Sequence, residues 1–285
     1  MKSSTVVIGV VCALAAHVVA EPRVTVHPKV LHAGDPVLVT VTAAKEAPTG
    51  TANGTALQFF RSRNGYQAVA AVPLDGKEDT MTIAVDKAKA KVVVPVRAKN
   101  FPEADVVVED ELANPDAPQR VQIDADNKAI IEALLKAKGD PQFTLGFRRP
   151  GGRVTSAFGE WRTFNDGHKS QHLGLDLTAK EGSPVRAVNA GTVTLVRDAY
   201  LAGTVVVVAH GGGIGTAYYH LSKTSVTEGQ TVARGTPIGA AGKTGRSTGA
   251  HLHISVRTPG GMVDPAGFFK LPIAPAAQRG IVTKR

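Results

Sequence analysis

Two short segments of this sequence place nitrogen and carboxylate donors at spacings that suit a metal site. The first is QHLGLD, residues 171–176, and the second is AHLHIS, residues 250–255. Successive side chains of a β-strand point to opposite faces, so each segment would present its donors on one face and its aliphatic residues on the other. The donors are His172, Asp176, His251 and His253. The pattern predicts two strands whose backs pack in a core and whose fronts bind a metal ion.

A further histidine, His220, ends another predicted strand and extends the candidate set. A catalytic zinc site needs three protein ligands and one open position, where the metal activates water. It also needs one group to move protons and another to stabilise an oxyanion. The chain has no HExxH motif, so proton transfer should fall to a histidine. The residues alone leave open which histidines ligate the metal and which are catalytic.

The N-terminus has the features of an export signal. An apolar run, residues 6–19, is shorter than the roughly 20 residues that a membrane helix needs, and Val18-Val19-Ala20 is typical of a cleavage site. We therefore predict that residues 1–20 direct export to the periplasm or the exterior, with no stable membrane insertion once they are removed. An uncleaved anchor is the alternative. The single cysteine, Cys12, lies in this segment, which excludes disulfides and cysteine ligands from the mature protein.

The formal net charge of +9 predicts attraction to polyanions, of which a bacterial envelope offers several. Nucleic acid is not the predicted partner, because only 5% of the residues are aromatic and no basic stripe alternates with them.

Short apolar alternations separated by turn residues predict an immunoglobulin-like β-sandwich over residues 21–124, without the usual disulfide. Its predicted strands are 23–26, 37–42, 57–60, 67–72, 80–85, 91–97 and 105–108. A linker helix is predicted over residues 125–142, with Asp126 as its N-cap and Gly139 at its end. We interpret this helix as packing between domains in a monomer; a dimerisation arm is the alternative.

A glycine-rich, strand-rich region over residues 143–270 predicts a second, antiparallel β domain. Its predicted strands are 153–156, 172–177, 184–187, 191–197, 204–210, 215–220 and 251–257. Residues 271–285 are predicted to form a flexible basic tail. The predicted fold class is therefore all-β, with one short helix between two β domains.

A series of motifs runs through residues 147–269 in a fixed order. They are Val154–Gly159, His172–Asp176, Gly182–Ala187, Gly191–Val193, His210–Gly211, Thr216–Leu221, Val226–Gly235, Ile238–Gly239, Gly242–Gly245, Thr248–His253 and Val263–Pro265. This succession resembles the LytM-type, lysostaphin-like zinc metallopeptidases that cut peptidoglycan peptides. The resemblance covers about 125 residues and does not extend to the N-terminal half.

The resemblance implies a role for each candidate residue. His172, Asp176 and His253 match the ligands of one zinc ion per chain, whereas His220 and His251 match the two catalytic histidines that act on the water and the developing oxyanion. The resemblance therefore implies which histidines ligate the metal and which are catalytic, a choice that the residues alone left open.

The sequence departs from the family pattern at several positions. Ser255 stands two residues after the last ligand, where the family often has an acidic residue, and Trp161 stands where many relatives have arginine. Asn165 resembles an asparagine near the metal in some members. His168 and His210 are not predicted to take a direct part.

The resemblance predicts an exported, zinc-dependent endopeptidase that hydrolyses peptide bonds in the stem peptides or cross-bridges of peptidoglycan. Two alternatives stay open. One is an inactive relative that binds the wall or regulates an amidase, and the other is a secreted protease that cleaves glycine-rich proteins. The presence of all five key side chains favours an active enzyme. The N-terminal sandwich is predicted to orient or shield the site.

Overall fold

The structure is a computed structural model that describes residues 21–86 and 88–276 of the 285-residue chain. The predicted export signal, with Cys12, and residues 277–285 of the predicted tail lie outside the described residues. In the part of the chain that is described, no helix is long and apolar enough to cross a membrane. Strands dominate both halves of the molecule, so the all-β prediction is confirmed.

The N-terminal half is a sandwich of two sheets. Its strands are β1 (Arg23–His27), β2 (Leu31–His32), β3 (Pro36–Thr42), β4 (Gly50–Ala52), β5 (Thr55–Ala56), β6 (Phe60–Ser62), β7 (Gly65–Ala71), β8 (Thr80–Val85), β9 (Ala90–Arg97) and β10 (Glu103–Val106). One sheet has the order β1-β3-β7-β6 and the other β2-β9-β8-β4-β5. Val39 and Val41 of the first sheet and Ile83 of the second share one buried core. Of the strand predicted at 57–60, only Phe60 lies in a strand, β6, and residues 57–59 connect β5 to β6.

Two helices follow, α1 (Asp110–Ala113) and α2 (Ala117–Leu135). The linker helix thus begins earlier than predicted, because Asp116 is its N-cap. The Asp116 carboxylate accepts a hydrogen bond from the Gln119 amide at 2.8 Å, and the Gln119 side chain accepts one from the Asp116 amide at 2.7 Å. This reciprocal capping box satisfies two amides that a helix start leaves free.

Asp126, the predicted N-cap, is buried in the middle of α2. It accepts hydrogen bonds from Arg197 Nε at 2.6 Å and from the Tyr200 amide at 2.8 Å. Ile130 and Leu134 of the same helix pack in a buried cluster with residues of the C-terminal sheet. Helix α2 is therefore part of the C-terminal core, as well as a connection between domains.

The C-terminal half is built on a ten-stranded sheet with the path β11-β14-β21-β18-β17-β16-β19. Its strands and helix are β11 (Val154–Ser156), β12 (Trp161–Phe164), β13 (Lys169–Gln171), β14 (Leu175–Thr178), β15 (Pro184–Arg186), β16 (Gly191–Ala199), β17 (Gly203–Ala209), β18 (Gly215–Thr224), β19 (Thr231–Val232), β20 (Pro237–Ala241), β21 (His251–Thr258), β22 (Gly261–Val263) and α3 (Pro265–Phe268). β15, β20 and β22 complete the ten strands beside the stated path, whereas β12 and β13 lie outside this sheet. Leu175, Tyr218 and Ile254 are fully buried in its core.

The two halves are joined by backbone pairing. β10 runs parallel to β12, which also pairs with β13, so a strand from the N-terminal half completes a three-stranded sheet.

The first residues of the predicted flexible tail are held by hydrogen bonds and burial. Ile273 is buried, the Ala274 amide donates to the Gln67 side chain at 2.9 Å, and the Ala276 amide donates to the Arg61 carbonyl at 3.0 Å. Residues 271–276 therefore pack on the sandwich, contrary to the predicted boundary.

His210 is a fully buried histidine of the C-terminal core. Its Nδ1 lies 2.7 Å from the Ala190 carbonyl oxygen. Because a carbonyl oxygen can only accept, Nδ1 carries the hydrogen. Its Nε2 lies 2.8 Å from Thr216 Oγ1 and accepts that hydroxyl hydrogen. Burial lowers the pKa of His210 to about 4, which keeps the imidazole neutral at physiological pH. This histidine serves the core, in agreement with its exclusion from the predicted site.

The depressed pKa of His210 should make folding stability depend on pH. An unfolded histidine has a pKa of about 6.5, so only the unfolded chain gains this proton between pH 6.5 and about 4, and stability falls as pH decreases through that window. The expected loss is about 3 kcal/mol. Chemical denaturation of chelator-treated protein at pH 7 and pH 4 should show this loss in the wild type, and a smaller one in His210→Gln. Equal losses in both proteins would contradict this assignment.

Candidate metal centre and catalytic cleft

Three neighbouring strands form the platform of the predicted site. The β14–β21 register places Asp176 opposite His253, and the β18–β21 register places Tyr219 opposite the same histidine. His251 and His253 are two residues apart on β21 and therefore share a face. His172 was predicted to lie on the same strand as Asp176, but it precedes β14. Its amide donates to the Glu160 carbonyl at 2.8 Å, which holds it beside the strand.

The three predicted metal ligands converge. His253 Nδ1 lies 2.8 Å from Asp176 Oδ1, and His172 Nε2 lies 3.2 Å from the same oxygen. The two histidine nitrogens are 3.0 Å apart. Among the residues that the structure describes, these three are the group of histidine and acidic side chains close enough to hold one ion, with ligand atoms within 4.8 Å of one another.

The hydrogen bonds on the far sides of the rings show which nitrogens are free to ligate. His172 Nδ1 lies 2.8 Å from the Ala157 carbonyl and must donate to it, which leaves a lone pair on Nε2. Ser255 Oγ donates to the Leu173 carbonyl at 2.8 Å and therefore accepts from His253 Nε2 at 3.0 Å. His253 Nδ1 then also carries a lone pair.

Two unprotonated imidazole nitrogens and one carboxylate oxygen thus face a common point. This donor set fits a catalytic zinc ion, which takes three protein ligands and keeps an open position. The orientation of each imidazole by a second hydrogen bond is also typical of zinc sites.

Ser255 holds the far side of His253 in place of the acidic residue that the family often carries. The Tyr219 hydroxyl also hydrogen-bonds to Ser255, and the Tyr219 ring packs edge-on against His253 with centroids 4.7 Å apart. Burial raises the pKa of Tyr219 to about 12, so its hydroxyl stays neutral. A neutral pair of hydroxyls therefore orients the third ligand.

Ser255→Ala should weaken zinc binding without removing a ligand, because His253 Nε2 would lose its acceptor. We expect zinc affinity to fall by about 10- to 100-fold, the usual effect of deleting such a supporting group. Competition with a chromogenic chelator measures this change. Ser222→Ala is the matched control, since the Ser222 hydroxyl also donates to a backbone carbonyl, Ala241 O at 3.0 Å, but does not contact a ligand. Unchanged affinity in Ser255→Ala would contradict the role of Ser255.

His220 and His251 flank the three ligands, and each uses Nδ1 for its hydrogen bond to the backbone. His220 Nδ1 lies 2.8 Å from Thr244 O, and His251 Nδ1 lies 2.8 Å from Gly249 O, so both Nδ1 atoms donate outward. The two ring centroids are 4.9 Å apart, and His251 Nε2 is 3.6 Å from Asp176 Oδ1. His220 has φ of 57°, a left-handed conformation that is uncommon for residues other than glycine.

The pKa values of the two flanking histidines are shifted in opposite directions. Burial is the main cause that lowers the pKa of His220 to about 3, and repulsion from His253 and His251 when those rings are protonated acts in the same direction. Burial also disfavours a charge on His251, but hydrogen bonds to Asp176 and to the Gly249 carbonyl outweigh it and raise the pKa of His251. The site therefore contains one histidine held neutral beside one that binds a proton more readily.

Arg162 is a site residue that sequence reasoning missed. Its Nη2 donates to Asp176 Oδ2 at 2.6 Å and to Ser156 Oγ at 2.7 Å, while its Nε donates to Glu160 at 3.2 Å. Burial acts to raise the pKa of Asp176, but its interactions with His172, His251 and His253 outweigh burial and hold that pKa well below its usual range. Asp176 is thus an ionised ligand with one oxygen facing the metal position and the other facing Arg162.

Other residues that the sequence drew attention to lie elsewhere. Asn165 bonds to the Val108 amide at 3.3 Å and to Asp110 at 3.0 Å, and so ties β12 to the segment before α1. His168 is exposed and stacks on Phe164 with centroids 6.5 Å apart. Neither belongs to the group of converging ligands.

The ligands and the two flanking histidines open into a cleft of about 820 Å³. One wall is the loop before β21, residues 246–250. The lining also includes residues 105–108, which follow the N-terminal sandwich in sequence, and Ile130 and Ile131 of α2. The N-terminal half therefore contributes directly to the surface that a substrate would meet.

Known proteins share this domain. Residues 170–265 match the family model described as peptidase family M23, and this part of the chain is a LytM-type M23 peptidase domain. A crystal structure from Pseudomonas aeruginosa assigned to peptidase M23 superposes with a TM-score of 0.63 at 26% identity, covering 83% of this chain and 94% of that one. That similarity extends beyond the M23 domain into the N-terminal half.

Curated relatives match over the peptidase domain. Peptidoglycan DD-endopeptidase ShyA of Vibrio cholerae is 45% identical over 85 residues, which are 30% of this chain and 20% of the relative. DD-carboxypeptidase/endopeptidase Mpg of Neisseria meningitidis is 44% identical over 94 residues, or 33% of this chain and 22% of the relative. The matched part of the chain thus spans about a fifth of the length of these relatives.

Proposed function

We propose that this protein is a zinc-dependent endopeptidase that hydrolyses peptide bonds of peptidoglycan. The observation that carries the proposal is the convergence of two lone-pair imidazole nitrogens and one ionised carboxylate, at 2.8–3.2 Å, beside two further histidines whose Nδ1 atoms donate to backbone carbonyls. The names of the M23 relatives, which refer to peptidoglycan DD-endopeptidase and DD-carboxypeptidase/endopeptidase activities, support the choice of substrate class.

Zinc held by His172, Asp176 and His253 would supply a Lewis acid that polarises the scissile carbonyl and makes a water more acidic. The residues of the chain would supply the remaining steps. The neutral His220 can accept a proton at Nε2, and His251 can donate one at Nε2 or hydrogen-bond to a developing oxyanion. Arg162 donates to Asp176 Oδ2 and fixes the orientation of that carboxylate.

The N-terminal half is proposed to shape the cleft for an extended peptide. Pairing of β10 with β12 fixes the rim at residues 105–108, and α2 contributes Ile131, which is 36% exposed. A substrate chain entering the cleft would therefore contact both halves of the protein. This agrees with the expectation that the sandwich orients or shields the site.

Export is a separate part of the proposal. The substrate lies outside the cytoplasm, and the apolar run of residues 6–19, together with the small-residue site Val18-Val19-Ala20, has the composition of a cleavable signal. N-terminal sequencing of the protein recovered from the periplasm or medium should begin at Glu21. Recovery of uncleaved protein in the membrane fraction would favour the anchor.

Digestion of purified muropeptides tests the activity. Mature protein should convert cross-linked dimers into monomers with a new free amine, as seen by mass spectrometry, and a chelator should prevent the conversion. A panel with D-alanyl cross-links, glycine bridges and a glycine-rich protein separates the candidate substrates. Absence of cleavage by protein that contains tightly bound zinc would favour the inactive, wall-binding alternative.

A further inference from the structure

Arg246 is held on the wall of the cleft by its backbone and by an aromatic ring. It lies in the loop between β20 and β21, where its amide donates to the Leu201 carbonyl at 2.9 Å. Its guanidinium carbon lies 4.0 Å from the centroid of the Phe164 ring. Phe164 is 6% exposed and belongs to β12, so the platform under the guanidinium is fixed. Stacking of this kind orients the planar group and leaves its edge free to donate.

The positive charge of Arg246 has no ion-pair partner among the described residues. Across residues 21–86 and 88–276, no carboxylate forms an ion pair with it, and its side chain makes no hydrogen bond. Arg162, the other arginine in the cleft, differs because Glu160 and Asp176 already engage it. Arg246 therefore presents unused donors to the space that the substrate would occupy.

The surroundings of Arg246 also favour an anion. The side chain is partly buried, and burial together with the nearby positive charge of Arg162 lowers the pKa of Arg246, although Asp166 acts in the opposite direction. A guanidinium retains its charge under such conditions. A partly desolvated cation without an ion-pair partner gains stability when a ligand supplies the missing anion.

We propose that Arg246 is a specificity residue that binds a carboxylate of the substrate close to the scissile peptide bond. This inference rests on the proposed peptidase function. A carboxylate is the anionic group that peptides carry, and its two oxygens match two adjacent N–H groups of a guanidinium. The neighbouring Ser247 connects this subsite to the catalytic region, because its Oγ lies 3.2 Å from His251 Nδ1.

Paired substrates test this assignment. Each pair consists of cross-linked peptides that differ only in carrying a free carboxylate or the corresponding primary amide, placed on either side of the scissile bond. The wild type should prefer the carboxylate at one position by about 10- to 100-fold in kcat/KM, as expected for a charge-assisted hydrogen bond. Arg246→Gln should lose this preference and cleave both members at about the rate at which the wild type cleaves the amide.

The controls separate this subsite from a structural role and from the peptidase function itself. Arg246→Lys should retain a reduced preference, and Lys243→Gln, an exposed position in the same loop, should behave as the wild type. A structural defect would slow cleavage of both substrates equally. Cleavage of all pairs by the wild type without preference, or a preference that persists in Arg246→Gln, would overturn the subsite alone. Failure of the zinc-loaded wild type to cleave any peptide would overturn the peptidase function and the subsite with it.

Discussion

His172→Ala and Asp176→Ala should each lose both the bound zinc and the peptidase activity. Each substitution removes one of three ligands that lie within 4.8 Å of one another, and two ligands do not retain a catalytic zinc ion. The metal contributes several kcal/mol to the transition state, so we expect activity to fall by more than about 10³-fold. Metal analysis by mass spectrometry and muropeptide digestion measure the two losses independently.

His168→Ala is the matched control for these variants. His168 lies four residues before His172 in sequence, but it is exposed and outside the ligand group, so zinc content and activity should be unchanged. Asp176→Ala should also unfold at a lower denaturant concentration, because Arg162 would lose its 2.6 Å partner. Retention of one zinc ion per chain in either ligand variant would contradict the assignment.

His220→Ala and His251→Ala should retain zinc and lose most activity. Neither histidine belongs to the ligand group, yet both lie beside it with Nδ1 bonded to a backbone carbonyl. Removal of a group that moves protons or stabilises an oxyanion typically lowers kcat by about 10²- to 10⁴-fold. The measurement is kcat on cross-linked muropeptides, with zinc content determined on the same preparations.

Zinc retention distinguishes the two kinds of histidine. If all four variants lost zinc equally, the division between ligands and catalytic residues would be wrong. The double variant of His220 and His251 adds a further check, since residues that act together give losses that do not add. We expect the double variant to be only slightly less active than the weaker of the single variants.

The sequence placed the candidate donors in two short segments, and the resemblance to the metallopeptidases implied which of them are ligands. The pair His251 and His253 shares a face through strand alternation alone, and the observed β21 bears this out. The same argument failed for His172, which precedes β14. Its place is set by a hydrogen bond to Glu160, which continues the β12–β13 pairing by one residue and which no periodicity reveals.

The residues that the sequence did not reveal are those whose roles depend on tertiary pairing. Arg162 reaches Asp176 only because the chain folds β12 beside the site, and no spacing rule connects these two positions. Asp126 had the features of a helix cap but is a buried acceptor, because the capping box at Asp116 starts α2 ten residues earlier. Local signals therefore predicted the elements well and their partners poorly.

Stoichiometric zinc addition to the metal-free protein tests the central claim most directly. Cleavage of a cross-linked muropeptide should be absent without metal, rise in proportion to added zinc and reach its maximum at one ion per chain. The same titration of His253→Ala should give no activity at that ratio. Full cleavage by the metal-free protein, or no cleavage after one zinc ion has bound, would contradict the account.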